Sequence, residues 1–505
     1  MDRDALNHRV LRAERLARLD QLALEGADEG GPRLLGGPST DVARLDDRAA
    51  AAPAAVARLP DGPAATAGGQ ALPEAPAATL HFAQSCYVCK APYRELHAFY
   101  ASLCPPCAEL NWRKREERCD LRGRVALVTG GRMKIGFRIV LKLLRCGATV
   151  PRRDPSRVAV SQARRFSGEA DAADWAERLH VVGADFRDLT GLEALCDALP
   201  SLVPRLDVIV NNACQTVRRP PQYYLPLVAA EAPRTPPGPF PRPSRALPFS
   251  WPGPLLQVPR DLGGAAGAGA SAVMAMLPVA PGDATRDDAA FPRGATDGNC
   301  DLGQQLDLRG RNSTAEMAEV FARSSRLAER VLAINSLAPS IINGRLKAFM
   351  QATADGGVLK FIVNVSAMEG RFYKARSRAS PLRAPASFLL TPPRSPSPQY
   401  KQPTHPHTNM AKAALNMMTR TSAADYAKCG IYMTAVDTGW INDEKPAERA
   451  AADHSVHNFQ TPIDEIDAAA RVLDPIIAPL RRQQAGEEPK PPFGVFLKDY
   501  ERCEW

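Results

Sequence analysis

From Val125 to Tyr500 short apolar runs alternate with longer amphipathic stretches. The runs are "VALVTG", "LHVVGAD", "LDVIVNNA", "LKFIVNVSA", "IYMTAVDTG" and a late "FGVFLKDY". Brief β-branched runs that do not alternate with polar residues read as strands buried on both faces. The stretches between them carry helical spacing, so the pattern predicts an α/β domain around a parallel sheet. Two segments break the rhythm. Residues 219–300 are Pro- and Ala-rich ("PRTPPGPFPRPSRALPFSWPGP"), and residues 375–399 ("ARSRASPLRAPASFLLTPPRSPSPQ") are basic, Ser/Pro-rich and aperiodic. Both are expected to be long flexible excursions with little core. The second joins "FYK" smoothly to "YKQPTHPH" when removed, so it reads as a disordered insert or an untrimmed translated intron.

Upstream, residues 1–80 read as an N-terminal arm and flexible linker, dominated after residue 25 by Ala, Gly and Pro. The first residues, "MDRDALNHRVLRAERLARLD", suit a basic amphipathic surface helix and lack the apolar region of a secretory signal. Organelle targeting by this stretch stays open beside a cytoplasmic location. No apolar run is long enough to span a bilayer. The 505-residue chain carries a formal charge of +9. That charge suits an acidic surface or anionic ligand, but spread over this length it does not imply nucleic acid, which is not an expected partner. A protein partner or a homo-oligomer stays open.

Eleven cysteines include two tight pairs, in "CYVCKAPYRELHAFYASLCPPC". Cys86 and Cys89 are separated by two residues, as are Cys104 and Cys107, and this spacing lets four thiolates converge on one Zn(II). A piece as small as residues 81–120 needs such an ion to fold. With four Cys ligands there is no open coordination position, so the expected role is structural, and His97 reads as a loop residue. The following "NWRKREERCD" is expected to begin as a helix, with its charges either solvated or forming a basic patch beside Trp112.

The stretch "VALVTGGRMKIGFRIV" has the outline of a phosphate-cradling turn. Gly130 and Gly131 permit the tight turn, and Gly136 allows the helix to close on the sheet. Together with "GADFRD", "VNNAC", "AINSLAP", "FIVNVSAMEG", "NMAKAALNMM" and "AVDTGWI" in this order, residues 121–500 resemble the short-chain dehydrogenase/reductase family, apart from the two excursions. The resemblance implies a Rossmann-like doubly wound sheet and an NAD(P)-dependent oxidoreductase moving hydride between nicotinamide and a carbonyl or alcohol substrate. It implies cofactor contacts at Thr129, Gly130, Gly131, Lys134, Ile135, Gly136, Asp185, Asn211, Asn212, Ala213 and Lys412. Lys134 stands where the family has its middle glycine. The cofactor is NADP or NAD, with NADP mildly preferred because Arg152 and Arg153 lie just after "GATV" and Pro151, in reach of a 2′-phosphate.

The chemistry departs from the family. Asn335 and Lys412 occupy the places of the catalytic Asn and Lys, but Thr408 stands where the catalytic Tyr is expected. Ala367 takes the place of the Ser, with Ser366 one residue early. A threonine hydroxyl is a far weaker acid than a phenol and cannot simply take over. His407 is a candidate substitute acid on its side-chain chemistry, as are His405, Tyr373 and Tyr400, and each also reads as an ordinary residue of a Pro-rich loop. The competing reading is a catalytically inactive dinucleotide-binding scaffold or sensor that docks a partner through its zinc module.

Overall fold

The computed structural model describes residues 2–17, 78–150, 165–180, 182, 184–215, 221–224, 288–292, 331–354, 357–372, 406–441 and 460–505. Arg152, Arg153, Tyr373, Tyr400, His405, residues 375–399 and most of 219–300 lie outside them.

In chain order the elements are α1 (Asp2–Asn7), β1 (Ala78–Ser85), β2 (Pro92–Leu96), α2 (Pro105–Glu116), β3 (Ala126–Val128), α3 (Lys134–Arg145), α4 (Leu189–Ala198) and β4 (Val208–Asn211). A π-helical turn (Ala333–Leu337) runs into α5 (Ala338–Ala352), followed by β5 (Lys360–Ser366), α6 (Pro406–Ala427), β6 (Ile431–Asp437), α7 (Glu465–Gln484), β7 (Phe496–Lys498) and β8 (Glu501–Cys503). The main sheet has the order β3-β4-β5-β6-β7-β8. β3 to β7 are parallel, and β8 folds back antiparallel on β7. Beside β3, Val125 bridges Thr149 and Val150 bridges Leu179. The strand expected at "LHVVGAD" is thus a single bridge among the described residues. The chain steps outward from β3 through these bridges and then returns to the other side of β3 as β4. That reversal puts a topological switch point at the carboxyl ends of β3 and β4, where open α/β sheets bind ligands.

The sheet is buried on both faces because its strands are apolar at successive positions. Val208, Val210, Phe361, Val363 and Val365 pack with Phe137, Leu141 and Leu144 of α3 and Val472 and Ile476 of α7. Ile209, Ile362, Ile431 and Met433 point the other way, to Leu192 of α4, Ile342, Leu346 and Met350 of α5 and Ala423 of α6. This alternation follows from the two-residue period of a strand, and it gives a three-layer α/β/α sandwich.

The cysteine-rich piece has its own core, built from Leu80, Tyr93, Phe99, Tyr100, Leu103 and Trp112, into which Leu6 and Leu11 of the N-terminal stretch also insert. Its basic helix α2 is not a free patch. Trp112 is 8% exposed and lies 5.0 Å from the Phe99 ring. Lys114 pairs with Asp474 at 2.7 Å, and Arg115 with Asp464 at 2.7 Å and Asp467 at 3.3 Å. Asp464 also caps α7, accepting from the amides of Ile466 and Asp467, while Tyr100 donates to Asp467 at 2.6 Å. Arg471, buried within α7, donates to Asn111 of α2 at 2.6 Å and pairs with Asp499 at 3.2 Å. Burial and the adjacent Asp464 push the Asp467 carboxyl up to about 6. The charge run in "NWRKREER" is therefore largely spent on fixing the small module to α7.

Candidate functional site

At the switch point the first glycine turn and the loop after β4 interlock. Thr129 donates its amide to Val210 O at 3.0 Å, and its hydroxyl oxygen accepts from the amides of Asn212 and Ala213, both at 2.9 Å. Asn212 Nδ2 donates to the carbonyls of Thr129 at 3.1 Å and Gly130 at 3.3 Å. Gly130 has φ +68°, and a Cβ there would lie 2.9 Å from Ala213 Cα. Gly136 is tighter still, since an added Cβ would meet Gly130 O at 2.1 Å and Asn212 Nδ2 at 2.6 Å.

Lys134 adopts φ +49°, a left-handed conformation that glycine takes without cost and other residues enter at about 1–2 kcal/mol. The residue replacing the expected glycine thus keeps the glycine-like backbone. No side chain caps α3 and its first turn holds no acidic residue. Its N-terminal amides and the positive end of its dipole therefore face the switch point without a competing anion from that turn. Ile135 is half-buried and packs on the main core, while Gly131 comes within 2.9 Å of Val140 Cγ2 for an added Cβ. Asp185 is engaged locally, its carboxylate accepting from Arg187 Nε at 2.8 Å and from the Arg187 amide at 3.0 Å.

Behind the turn lies a buried amide cluster. Asn211 on β4 stands in register with Asn364 on β5. Its Nδ2 donates to Asn364 Oδ1 at 2.8 Å and to Asn343 Oδ1 of α5 at 2.9 Å. Asn364 Nδ2 passes the chain on to Thr419 Oγ1 of α6 at 2.9 Å. This seam ties β4, β5, α5 and α6 together at the level of the cleft. Asn211 belongs to the "VNNAC" pattern, whereas Asn343, Asn364 and Thr419 belong to no site motif. The only signal for them is their polar character inside otherwise apolar runs.

Asn335 sits in the π-helical turn at 1% exposure, a local distortion that recurs at functional sites. Both ends of its amide are spent on Gln215: Oδ1 accepts from the amide at 2.8 Å and Nδ2 donates to the carbonyl at 2.9 Å. Asn335 therefore clamps the chain leaving β4. Lys412 is 4% exposed and donates from Nζ to Val365 O, at the end of β5, at 2.7 Å. One turn earlier on the same helix face, Thr408 is 5% exposed, and its hydroxyl has no hydrogen-bond partner among the described residues. His407 is also buried in this first turn. Ser366 faces α6 and donates to Asn416 Oδ1 at 2.6 Å. Its hydroxyl thus lies in the seam between sheet and helix, as its one-residue offset from Ala367 requires.

The second cluster is formed by Cys86, Cys89, Cys104 and Cys107, all buried, whose sulfurs lie within 4.8 Å of one another. Cys89 Sγ and Cys104 Sγ are 3.6 Å apart, close to the edge of about 3.8 Å that a Zn–S tetrahedron with bonds of about 2.3 Å requires. Lys90, immediately after the first pair, has φ +63° and turns the knuckle. Hydrogen bonding with Cys104 holds the Cys86 thiol far below its usual range and pushes Cys107 far above it. Four sulfurs this close cannot all be anionic without a cation between them, so the donor set suits a divalent soft metal. His97 Nδ1 instead accepts from the amide of Phe99 at 3.1 Å, which makes it a turn residue.

The short chain dehydrogenase family model matches residues 124–225, which include the turn, Asp185 and the loop after β4. Uncharacterized protein R665 of Acanthamoeba polyphaga mimivirus is 26% identical over 408 residues, covering 77% of this chain and 71% of that protein. Dehydrogenase/reductase SDR family member 13 of Bos taurus is 33% identical over 125 residues, 23% of this chain and 29% of that one. The rhamnolipids biosynthesis 3-oxoacyl-[acyl-carrier-protein] reductase of Pseudomonas aeruginosa is 40% identical over 96 residues, 19% of this chain and 34% of that one. The last two matches span about a third of those relatives or less. Among solved structures, the Pseudomonas aeruginosa RhlG/NADP active-site complex is 17% identical with a TM-score of 0.36, covering 70% of this chain and 90% of that one. Landomycin C-6 ketoreductase LanV with bound NADP and rabelomycin is 16% identical with a TM-score of 0.37, covering 76% and 97%. The glycine turn and the "NNA" loop both lie inside the segment that matches the short chain dehydrogenase model, and the parallel sheet places them together at its switch point.

Proposed function

We propose that the protein is an NAD(P)-dependent oxidoreductase acting on a carbonyl or alcohol substrate, with a structural Zn(II) in its cysteine module. The observation that carries the reading is the interlock of Thr129, Gly130 and Gly136 with Asn212 and Ala213. This leaves the uncapped N-terminus of α3 facing the switch point, and such an arrangement accepts a pyrophosphate. The dehydrogenase and reductase names of two of these relatives support the same class.

Bound nicotinamide would supply or accept the hydride; the chain's own residues hold, orient and charge the site. Gly130, Gly131, Ile135 and Gly136 shape the cradle. Lys134 adds an ammonium beside the phosphates, and Asp185 marks the adenine side. Asn211, Asn212 and Ala213 form the floor. Lys412, already fixed on Val365 O, holds the ribose and carries positive charge. Asn335 fixes Gln215 at the cleft, so it supports a water relay as a positioning group. Ser366 is engaged by Asn416, so among the described residues His407 is the proposed substitute acid, with Lys412 beside it on the same helix. The cysteine module, residues 81–120, takes zinc through Cys86, Cys89, Cys104 and Cys107.

A specific observation favours a second reading, a non-catalytic dinucleotide-binding protein. Thr408, whose hydroxyl has no partner among the described residues, occupies the place of the phenol, and the Ser366 hydroxyl is tied up. Calorimetric titration with NADPH and NADH, on the wild type and on Lys412→Ala, tests the shared part. Binding that is lost or weakened more than about tenfold in Lys412→Ala supports the site. Turnover of the bound cofactor with a panel of ketones and alcohols then selects the enzyme, and binding without turnover selects the scaffold. No binding of either nucleotide by the wild type refutes both.

A further inference from the structure

Among the described residues, the cysteine knuckle meets the carboxyl-end side of the sheet at the loop that follows β6. The loop leaving the carboxyl end of β6, residues 437–441, is held from both sides. Asp437 accepts from the amide of Gly439 through Oδ1 and from the amide of Met368, in the loop after β5, through Oδ2, each at 2.8 Å. Gly439 takes φ +79°, and a Cβ there would meet Ile463 Cδ1 at 2.6 Å and Tyr87 Oη at 3.4 Å. The next amide, that of Trp440, donates to Tyr87 Oη at 2.8 Å. The Ile441 carbonyl then accepts from Thr461 Oγ1 at 3.1 Å, and both Ile441 and Tyr87 pack on the core of the cysteine module.

Tyr87 lies between two of the cysteines, Cys86 and Cys89. Its own amide is pinned to Ser102 O at 2.9 Å, and the knuckle closes through Cys86 N to Ala91 O at 2.9 Å and Lys90 N to Cys86 O at 3.1 Å. Lys498, which pairs with Asp499 and lies 3.8 Å from Asp437, sits 5.5 Å from the centre of the Tyr87 ring. The phenol is thus presented by a hydrogen-bonded knuckle to a loop whose glycine packs too closely against Ile463 and Tyr87 to carry a side chain.

We propose that Tyr87 is a positioning residue, through which the folded cysteine knuckle sets the conformation of loop 437–441 beside the cofactor cleft. This rests on the cofactor reading given above. The module would then act in the site by geometry, contributing no group to the chemistry, and metal loading would couple to nucleotide affinity through a single hydrogen bond to the Trp440 amide.

The test is Tyr87→Phe, which keeps the ring and its packing and removes the acceptor oxygen. Three readouts are needed: zinc per chain, amide hydrogen exchange of the peptide covering residues 437–441, and the dissociation constant for NADPH. Zinc content is expected to stay at the wild-type level. Exchange in the loop is expected to quicken and NADPH affinity to fall by about 3- to 10-fold, the usual effect of one lost hydrogen bond. Removing zinc from the wild type with a chelator should quicken the same peptide before it affects helix α6. Loop exchange unchanged in Tyr87→Phe overturns the proposal, and so does faster exchange with undiminished affinity. A wild type that binds no NADPH overturns the cofactor reading instead, and the exchange readout still decides whether Tyr87 holds the loop.

Discussion

Adding one methyl group at two helical glycines should give opposite results, and only the fold says which is which. Gly136 lies in the first turn of α3 and Gly344 in the middle of α5. By helix propensity alone, Gly→Ala at a helical position stabilises by about 0.5–1 kcal/mol. At Gly344 nothing lies within 4 Å of the added Cβ, so that gain should appear undiminished. At Gly136 the Cβ would sit 2.1 Å from Gly130 O, against a normal contact of about 3.5 Å. The obstructing atom is backbone, and the second obstacle, Asn212 Nδ2, is held by two carbonyls. Relief therefore requires α3 to move off the sheet by more than 1 Å, and overpacking of this kind costs about 1–3 kcal/mol beyond the propensity gain. Urea denaturation of the two variants beside the wild type reads both effects. Gly344→Ala should move the midpoint up and Gly136→Ala down, with NADPH binding lost only in Gly136→Ala. Equal or greater stability of Gly136→Ala would refute the close approach of α3 to the turn, and with it the cradle on which the functional reading rests.

Three further outcomes follow from the same structure. Lys134→Gly should relieve the left-handed backbone and raise stability by up to about 1 kcal/mol, yet weaken NADPH binding; unchanged affinity would show that the ammonium does not meet the phosphates. Burial lowers the Lys142 ammonium from its ordinary 10.5 to about 8, although it donates to the carbonyls of Lys114 and Arg115. Between those values the unfolded chain binds more protons, so this lysine adds stability as pH rises from 8 toward 10.5 and withdraws it as pH falls through 8. At about 1.4 kcal/mol per pH unit the ceiling is about 3 kcal/mol, and a stability–pH curve of Lys142→Met lacking that rise is the check. Cys104→Ser should lower zinc to well under one ion per chain and loosen the contacts of α2 with α7, seen as faster amide exchange in residues 105–116; full zinc retention would remove Cys104 from the ligand set.

The sequence by itself determined the strands that make the centre of the sheet. Runs such as "LDVIVNNA" and "LKFIVNVSA" are apolar at successive positions, and burial on both faces is the one environment that suits them. The paired C-x-x-C spacing located the four sulfurs, because two knuckles are enough to bring them together. The glycine turn and the helix that carries Lys412 were legible as elements, since each is a local pattern within one strand-to-helix unit or one helix. What the sequence left undecided was set by contacts between segments far apart in the chain. Asn335 reads in the sequence as a site amide, and only the fold shows Gln215 at both its ends. Ser366 looks available until the strand's alternation turns it onto Asn416. "NWRKREER" looks like a basic surface until α7 supplies Asp464, Asp467 and Asp474 opposite it. Nothing in a one-dimensional pattern places Tyr87 against Trp440, 353 residues later. Periodicity encodes which face of an element is buried, whereas the partner that meets a polar group is fixed only when the layers close.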